Sequence, residues 1–136
     1  MFSMPLRVYY EDTDAGGVVY YANYLKFYER ARTEWLRQLR VDQVLVAQEH
    51  DALFAVRAIE VDYLRAARLD DLLTVTAEVR DMRRASIVFE QKILRGEEPV
   101  STATVRICCV RASNFTACEV PPFVRERLSQ KQSQPS

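Results

Sequence analysis

One long helical stripe followed by a switch to alternation limits what this chain can fold into more than any other feature. Tyr24, Tyr28, Ala31, Trp35 and Leu39 succeed one another at steps of four, three, four and four, which is one face of an α-helix. Lys26, Glu29, Arg30, Arg37 and Arg40 occupy the other faces. After Asp51 the period becomes two. Leu73, Val75, Ala77 and Val79 alternate with Thr74, Thr76, Glu78 and Arg80, and Ala103, Val105, Ile107 and Cys109 keep the same spacing near the end. A helix with one apolar stripe and a sheet with one apolar face must bury those surfaces against each other.

The remaining elements fit that frame. Leu6, Val8 and Tyr10 read as a first strand, ended by the turn residues Asp12 to Gly17. Asp42 is placed to cap a short second helix over Val44, Leu45 and Ala47. Phe54, Val56 and Ala58 share one face of the next strand while Ile59, Val61 and Tyr63 share the other, so its two ends are buried on different sides. Ile87, Phe89 and Ile93 belong to a fourth strand, Arg95-Gly96-Glu97-Glu98 to a hairpin loop, and Ser101 to Val110 to a fifth strand. Pro121-Pro122 stops it and starts a brief helix through Leu128. The expected fold is α+β: a long helix across a curved five-stranded antiparallel sheet, the hotdog arrangement. Residues 1–128 form its single domain, and residues 129–136 a polar, disordered tail.

Charge and motifs exclude several functions. Nineteen Lys and Arg face nineteen Asp and Glu, so the phosphate-neutralising excess of a nucleic-acid binder is missing. No segment reaches the roughly 20 apolar residues of a membrane helix, and no signal peptide is apparent. Cys108, Cys109 and Cys118 are odd in number and read as reduced core residues of a cytoplasmic protein. With His50 as the sole histidine, in a polar stretch, and no G-x-S-x-G, a Ser-His-Asp hydrolase is excluded. Asp12, Asp14 and Gly17 imitate the start of a calcium loop, but Asn23 stands where the bidentate Glu is required. No metal-ligand spacing is present, and no cofactor is expected.

What remains is Asp12-Thr13-Asp14-Ala15-Gly16-Gly17 before the long helix. Such a stretch can be only a turn, since Asp and Gly serve turns for backbone reasons. It can also be a site. Asp14 offers a base or nucleophile, Gly16 and Gly17 let backbone approach a ligand, and a helix start presents unpaired N–H groups. Together these could polarise a carbonyl beside a carboxylate.

The run from Asp12 through Tyr20, with Asn23-Tyr24 and Phe27-Tyr28-Glu29-Arg30-Ala31-Arg32, resembles the YbgC-like acyl-CoA thioesterases associated with the Tol–Pal system. More loosely it resembles 4-hydroxybenzoyl-CoA thioesterase. Ala67-Arg68-Leu69-Asp70-Asp71-Leu72-Leu73, Arg83-Arg84-Ala85-Ser86 and Glu119-Val120-Pro121 extend the likeness from about Leu6 to Pro122. The resemblance implies hydrolysis of acyl-CoA in the cytoplasm by a hotdog dimer or dimer of dimers with sites at the dimer interface. It implies Asp14 as the catalytic carboxylate beside Gly17, the Tyr21 backbone N–H as the carbonyl's donor, and Arg83, Arg84 and Ser86 as contacts for the coenzyme A phosphates. Coenzyme A enters only as part of the substrate; an acyl carrier protein is a second candidate carrier. Tyr21 stands where many YbgC-like members have His, as in the hydroxybenzoyl branch, and Ala66 stands where they have Pro. Asp51-Ala52-Leu53-Phe54 lacks the Gly that the hydroxybenzoyl enzymes place there. A non-catalytic acyl-CoA or acyl-carrier-protein binding module is the alternative. A hotdog hydratase, which usually pairs Asp with His, is disfavoured by the distant His50.

Overall fold

A computed structural model of the chain describes residues 1–133. Its strands are β1 (Phe2–Arg7), β2 (Leu53–Tyr63), β3 (Leu72–Met82), β4 (Ser86–Arg95) and β5 (Glu98–Val110). Its α-helices are α1 (Asn23–Gln38), α2 (Gln43–His50) and α3 (Pro122–Ser133), and a short 3-10 turn covers Tyr10–Asp12. The five strands form one antiparallel sheet in the order β1-β3-β4-β5-β2. The hotdog fold is thus the one observed, with α1 laid across the sheet.

The α1 stripe packs as its spacing requires. Tyr24, Tyr28, Ala31, Trp35 and Leu39 are all buried, and Phe27, Arg32 and Leu36 join them. Trp35 stacks on Phe2 of β1 at 6.2 Å between ring centroids and meets Phe89 of β4 edge-on at 6.0 Å. Leu73, Val75 and Ala77 of β3 and Val105, Ile107 and Cys109 of β5 supply the sheet side of the same core.

The two ends of β2 are buried on the same side, not on different sides as strict alternation predicts, and the cause is local. Its pairing with β5 slips between Val56 and Ala58, leaving Arg57 as the extra residue of a bulge. A bulge inverts the alternation, so Phe54 and Val56 share the helix-facing side with Ile59 and Val61. At the β4–β5 hairpin Gly96 has φ of 63°, the left-handed conformation a two-residue turn demands.

Several boundaries move. β1 ends at Arg7 and Tyr10 enters the 3-10 turn, because Asp12 folds back to accept the Tyr9 N–H at 2.9 Å. β5 begins at Glu98, three residues before Ser101, since the hairpin is tight. Asp42 caps α2, accepting the N–H groups of Val44 and Leu45 at 2.9 and 3.3 Å. α3 continues past Leu128 to Ser133, so residues 129–133 are helical; residues 134–136 of the expected tail lie outside the described residues. Cys109 is buried and Cys108 and Cys118 half-buried, all free, with the Cys109 and Cys118 sulfurs 3.5 Å apart. Among the described residues no helix is long and apolar enough to cross a membrane, and no cluster of side chains could hold a metal.

Candidate active site

The stretch from Asp12 to Val19 is a miniature hairpin. Thr13 and Val19 pair across it, the Asp14 N–H donates to the Val18 carbonyl at 2.9 Å, and the Gly17 N–H donates to the Asp14 carbonyl at 3.0 Å. Gly17 has φ of 78°, a conformation that side chains disfavour. The Gly16 N–H donates to Asp14 Oδ1 at 2.8 Å, and a Cβ on Gly16 would press on that same oxygen at 3.3 Å. Gly16 therefore fixes one carboxylate oxygen of Asp14 while Gly17 closes the backbone turn on the Asp14 carbonyl, and among the described residues no group is bonded to Oδ2.

Two attachments fix the hairpin to α1. The Asp12 carbonyl accepts both the Tyr20 N–H at 3.1 Å and Asn23 Nδ2 at 3.2 Å. On its outer side Val18 pairs with Arg68, and the Val19 N–H donates to the Ala67 carbonyl at 2.8 Å. The loop that receives it is itself latched. Asp71 accepts the Arg68 N–H and Arg95 Nη1, both at 2.8 Å, and Arg95 also reaches the Ala66 carbonyl and Glu98. Burial alone would raise the Asp71 carboxyl, but the Arg68 N–H and the Arg95 guanidinium outweigh it and hold it below the usual value.

Tyr21 differs from expectation in one respect: it precedes α1, which starts at Asn23 after an Ala22 cap that has no side-chain acceptor to offer. The N–H groups of Asn23, Tyr24 and Leu25 are already spent on the carbonyls of Tyr20, Tyr21 and Ala22. Among the described residues the N–H groups of Tyr21 and Ala22 have no acceptor, so these are the donors the helix start retains. The Tyr21 ring lies against Tyr20 at 4.8 Å and against Tyr63 at 6.1 Å, and Tyr63 meets Tyr24 at 5.3 Å. Tyr24 is pinned by its hydroxyl, which accepts the Ala67 N–H at 3.0 Å. Burial, then Tyr21 and Tyr24, raises the Tyr63 phenol, so this cluster offers aromatic surface rather than charge.

Asp14 and Gly17 lie at the tip of this hairpin and Tyr21 follows its base, all three exposed on the single chain. Arg83, Arg84 and Ser86 do not join them. They form the turn from β3 to β4, with the Arg83 N–H bonded to the Ser86 carbonyl at 2.8 Å. β3 starts just after the Arg68 loop and ends just before Arg83, and its 11 residues separate the two groups by roughly 33 Å. Arg83 pairs with Asp81 at 3.1 Å, Arg84 approaches Glu119 at 3.8 Å, and both side chains are otherwise exposed. The positions that spacing did not single out are Asp12 and Asn23, which anchor the hairpin, and Tyr63, which reaches it from β2.

Comparison with known proteins follows this geometry. Residues 8–128 match the thioesterase-like superfamily. The chain is 48% identical over 124 residues to an acyl-CoA thioesterase YbgC of Haemophilus influenzae, covering 91% of each. It is 50% identical over 111 residues to an acyl-CoA thioester hydrolase YbgC of Escherichia coli O6:H1, covering 81% of this chain and 82% of that one. In fold it is similar to a 1,4-dihydroxy-2-naphthoyl-CoA thioesterase from Synechocystis, with a TM-score of 0.90 over 98% of both chains at 19% identity.

Proposed function

The chain belongs to the thioesterase-like superfamily, and from that premise we propose that it hydrolyses acyl-CoA to the free acid and coenzyme A with Asp14 as its carboxylate. The observation that carries this is the clamped Asp14 turn tied through the Asp12 carbonyl to a helix start whose Tyr21 N–H is unspent. A thioester carbonyl held at Tyr21 becomes more electrophilic, and negative charge developing on its oxygen meets the positive end of α1. Asp14, with one oxygen fixed by Gly16, takes a proton from water or attacks the carbonyl carbon with the other. Gly17 keeps the turn tight enough for the backbone to approach the ester.

The site needs a second copy. β2 lies at the edge of the sheet, and its 11 residues contain no proline; Val56 on it is 53% exposed. A long unpaired edge seeks another strand. Pairing two copies of β2 about a twofold axis is necessarily antiparallel, and it sets the Tyr63 end of one against the Leu53 end of the other. Ser86 pairs with Cys108, which pairs with Ala55, so the Arg83–Ser86 turn belongs to that Leu53 end. The phosphate-binding cations of one copy then face Asp14 of the other, which resolves their separation in the single chain. A dimer, or a dimer of dimers, working in the cytoplasm is the assembly this reading requires.

Release of thiol from a panel of acyl-CoAs tests the activity. Turnover that rises with purified protein is expected. Tight binding of every ester without thiol release would contradict hydrolysis and leave a binding module, of the Tol–Pal-associated or carrier-protein kind.

A further inference from the structure

A cavity of about 200 Å³ lies between α1 and the β2 side of the sheet. Its sheet wall is apolar, formed by Phe54, Val56, Phe89 and Ile107, while Glu29 and Arg32 enter it from α1. Arg32 is 8% exposed, yet it faces no carboxylate at bonding distance. Its Nη1 donates to Gln91 Oε1 at 2.9 Å, and Gln91 is fixed in turn by the carbonyls of Tyr28 and Thr76. Among the described residues no fully buried side-chain nitrogen lacks a partner. Arg32 lines the cavity, and among the described residues no group accepts from its Nε or Nη2.

A guanidinium so placed is costly unless something accepts its remaining hydrogens. Burial lowers its affinity for the proton, and the charge of Glu29, exposed on the same helix, opposes that shift. A neutral oxygen fits between them without adding charge, whereas a second carboxylate would sit beside Glu29 as a like charge. A cavity of this volume has room for a short chain or a single ring.

We propose that this cavity takes the far end of the acyl group, and that Arg32 selects acyl groups carrying a neutral oxygen, hydroxyl or oxo, at that end. The inference rests on the thioesterase reading and on the twofold pairing. Val56 lines the cavity on the Leu53 half of β2, so the cavity of one copy opens beside the Tyr63 end of the other, where Asp14 holds the ester. Gln91 is a positioning residue, because it touches Arg32 and not the ligand.

The test compares kcat/KM of the wild-type dimer for ω-hydroxyoctanoyl-CoA, octanoyl-CoA and the octanedioyl monothioester of CoA. The hydroxy ester should lead the other two by at least about tenfold, as sites built to bond a substrate hydroxyl do. In Arg32→Met the hydroxy-over-alkyl ratio should fall to about one. A wild-type ratio near or below one, a lead for the octanedioyl ester, or a ratio unchanged in natively folded Arg32→Met overturns the proposal. Should Arg32→Met fail to fold, Val56→Trp at the rim is read instead: it should lower the octanoyl-over-acetyl ratio of kcat/KM by about tenfold, and an unchanged ratio removes the acyl end from this cavity. Failure of the wild type to cleave any ester would instead strike the thioesterase reading itself.

Discussion

Replacing Trp35 by Ala probes the contact on which the whole arrangement rests. Trp35 is 2% exposed, stacked on Phe2 and edge-on to Phe89, so it joins α1 to both β1 and β4. Truncating a buried Trp costs about 3–5 kcal/mol in lost transfer and cavity terms. Unfolding 136 residues carries an entropy of about 0.3 kcal/mol/K, so the midpoint should fall by about 10–17 °C. The assay is thermal unfolding followed by circular dichroism at fixed protomer concentration, because association makes Tm depend on concentration. Trp35→Phe should recover more than half of the loss by keeping a ring between Phe2 and Phe89. A shift under about 3 °C for Trp35→Ala would refute the packing of α1 across the sheet.

Three further outcomes follow from the local chemistry. Arg83→Ala should raise KM for CoA esters several-fold while leaving KM for short thioesters without the nucleotide unaltered, since the Arg83 side chain is exposed and pairs with Asp81, and the carbonyl that accepts Arg125 Nη2 is kept by the truncation; equal effects on both substrates would contradict its assignment. The Asp71 carboxyl lies below its usual value, so its stabilising contribution is complete above pH 3.8 and is lost as pH falls through the lower folded value. Tm of the wild type and Asp71→Asn should therefore differ near neutrality and converge in acid, and curves that stay parallel would contradict the latch. Burial, then the Cys118 contact, pushes the Cys109 thiol up to about 12. Iodoacetamide at pH 8 should modify Cys108 or Cys118 and spare Cys109 until the protein unfolds, as peptide mass mapping would show.

Much of the fold was legible because it depends on periodicity. The α1 stripe, the alternation of β3 and β5 and the Asp42 cap each follow from local spacing, whereas strict alternation put the two ends of β2 on different sides and missed the Arg57 bulge that returns them to one. The start of α1 was less legible: Ala22 carries no capping oxygen, so nothing in the residues marks Asn23 over Tyr21 as the first helical position. Burial of Arg32 could not be read at all, since its partner Gln91 lies 59 residues away on β4. The Asp14 turn was legible as a turn with a carboxylate, but the distance separating it from Arg83 is a property of strand order. On the proposed reading, two copies of the chain are what bring the two groups within reach of one substrate.

The kcat of Asp14→Asn on an acyl-CoA that the wild type cleaves bears most directly on the catalytic assignment. Asn can still accept the Gly16 N–H, so the hairpin and the thermal midpoint should be preserved. Turnover should drop by about 10²–10⁴-fold, the usual loss for a general base, or further for a nucleophile. A natively folded variant that works at nearly the wild-type rate would contradict the account.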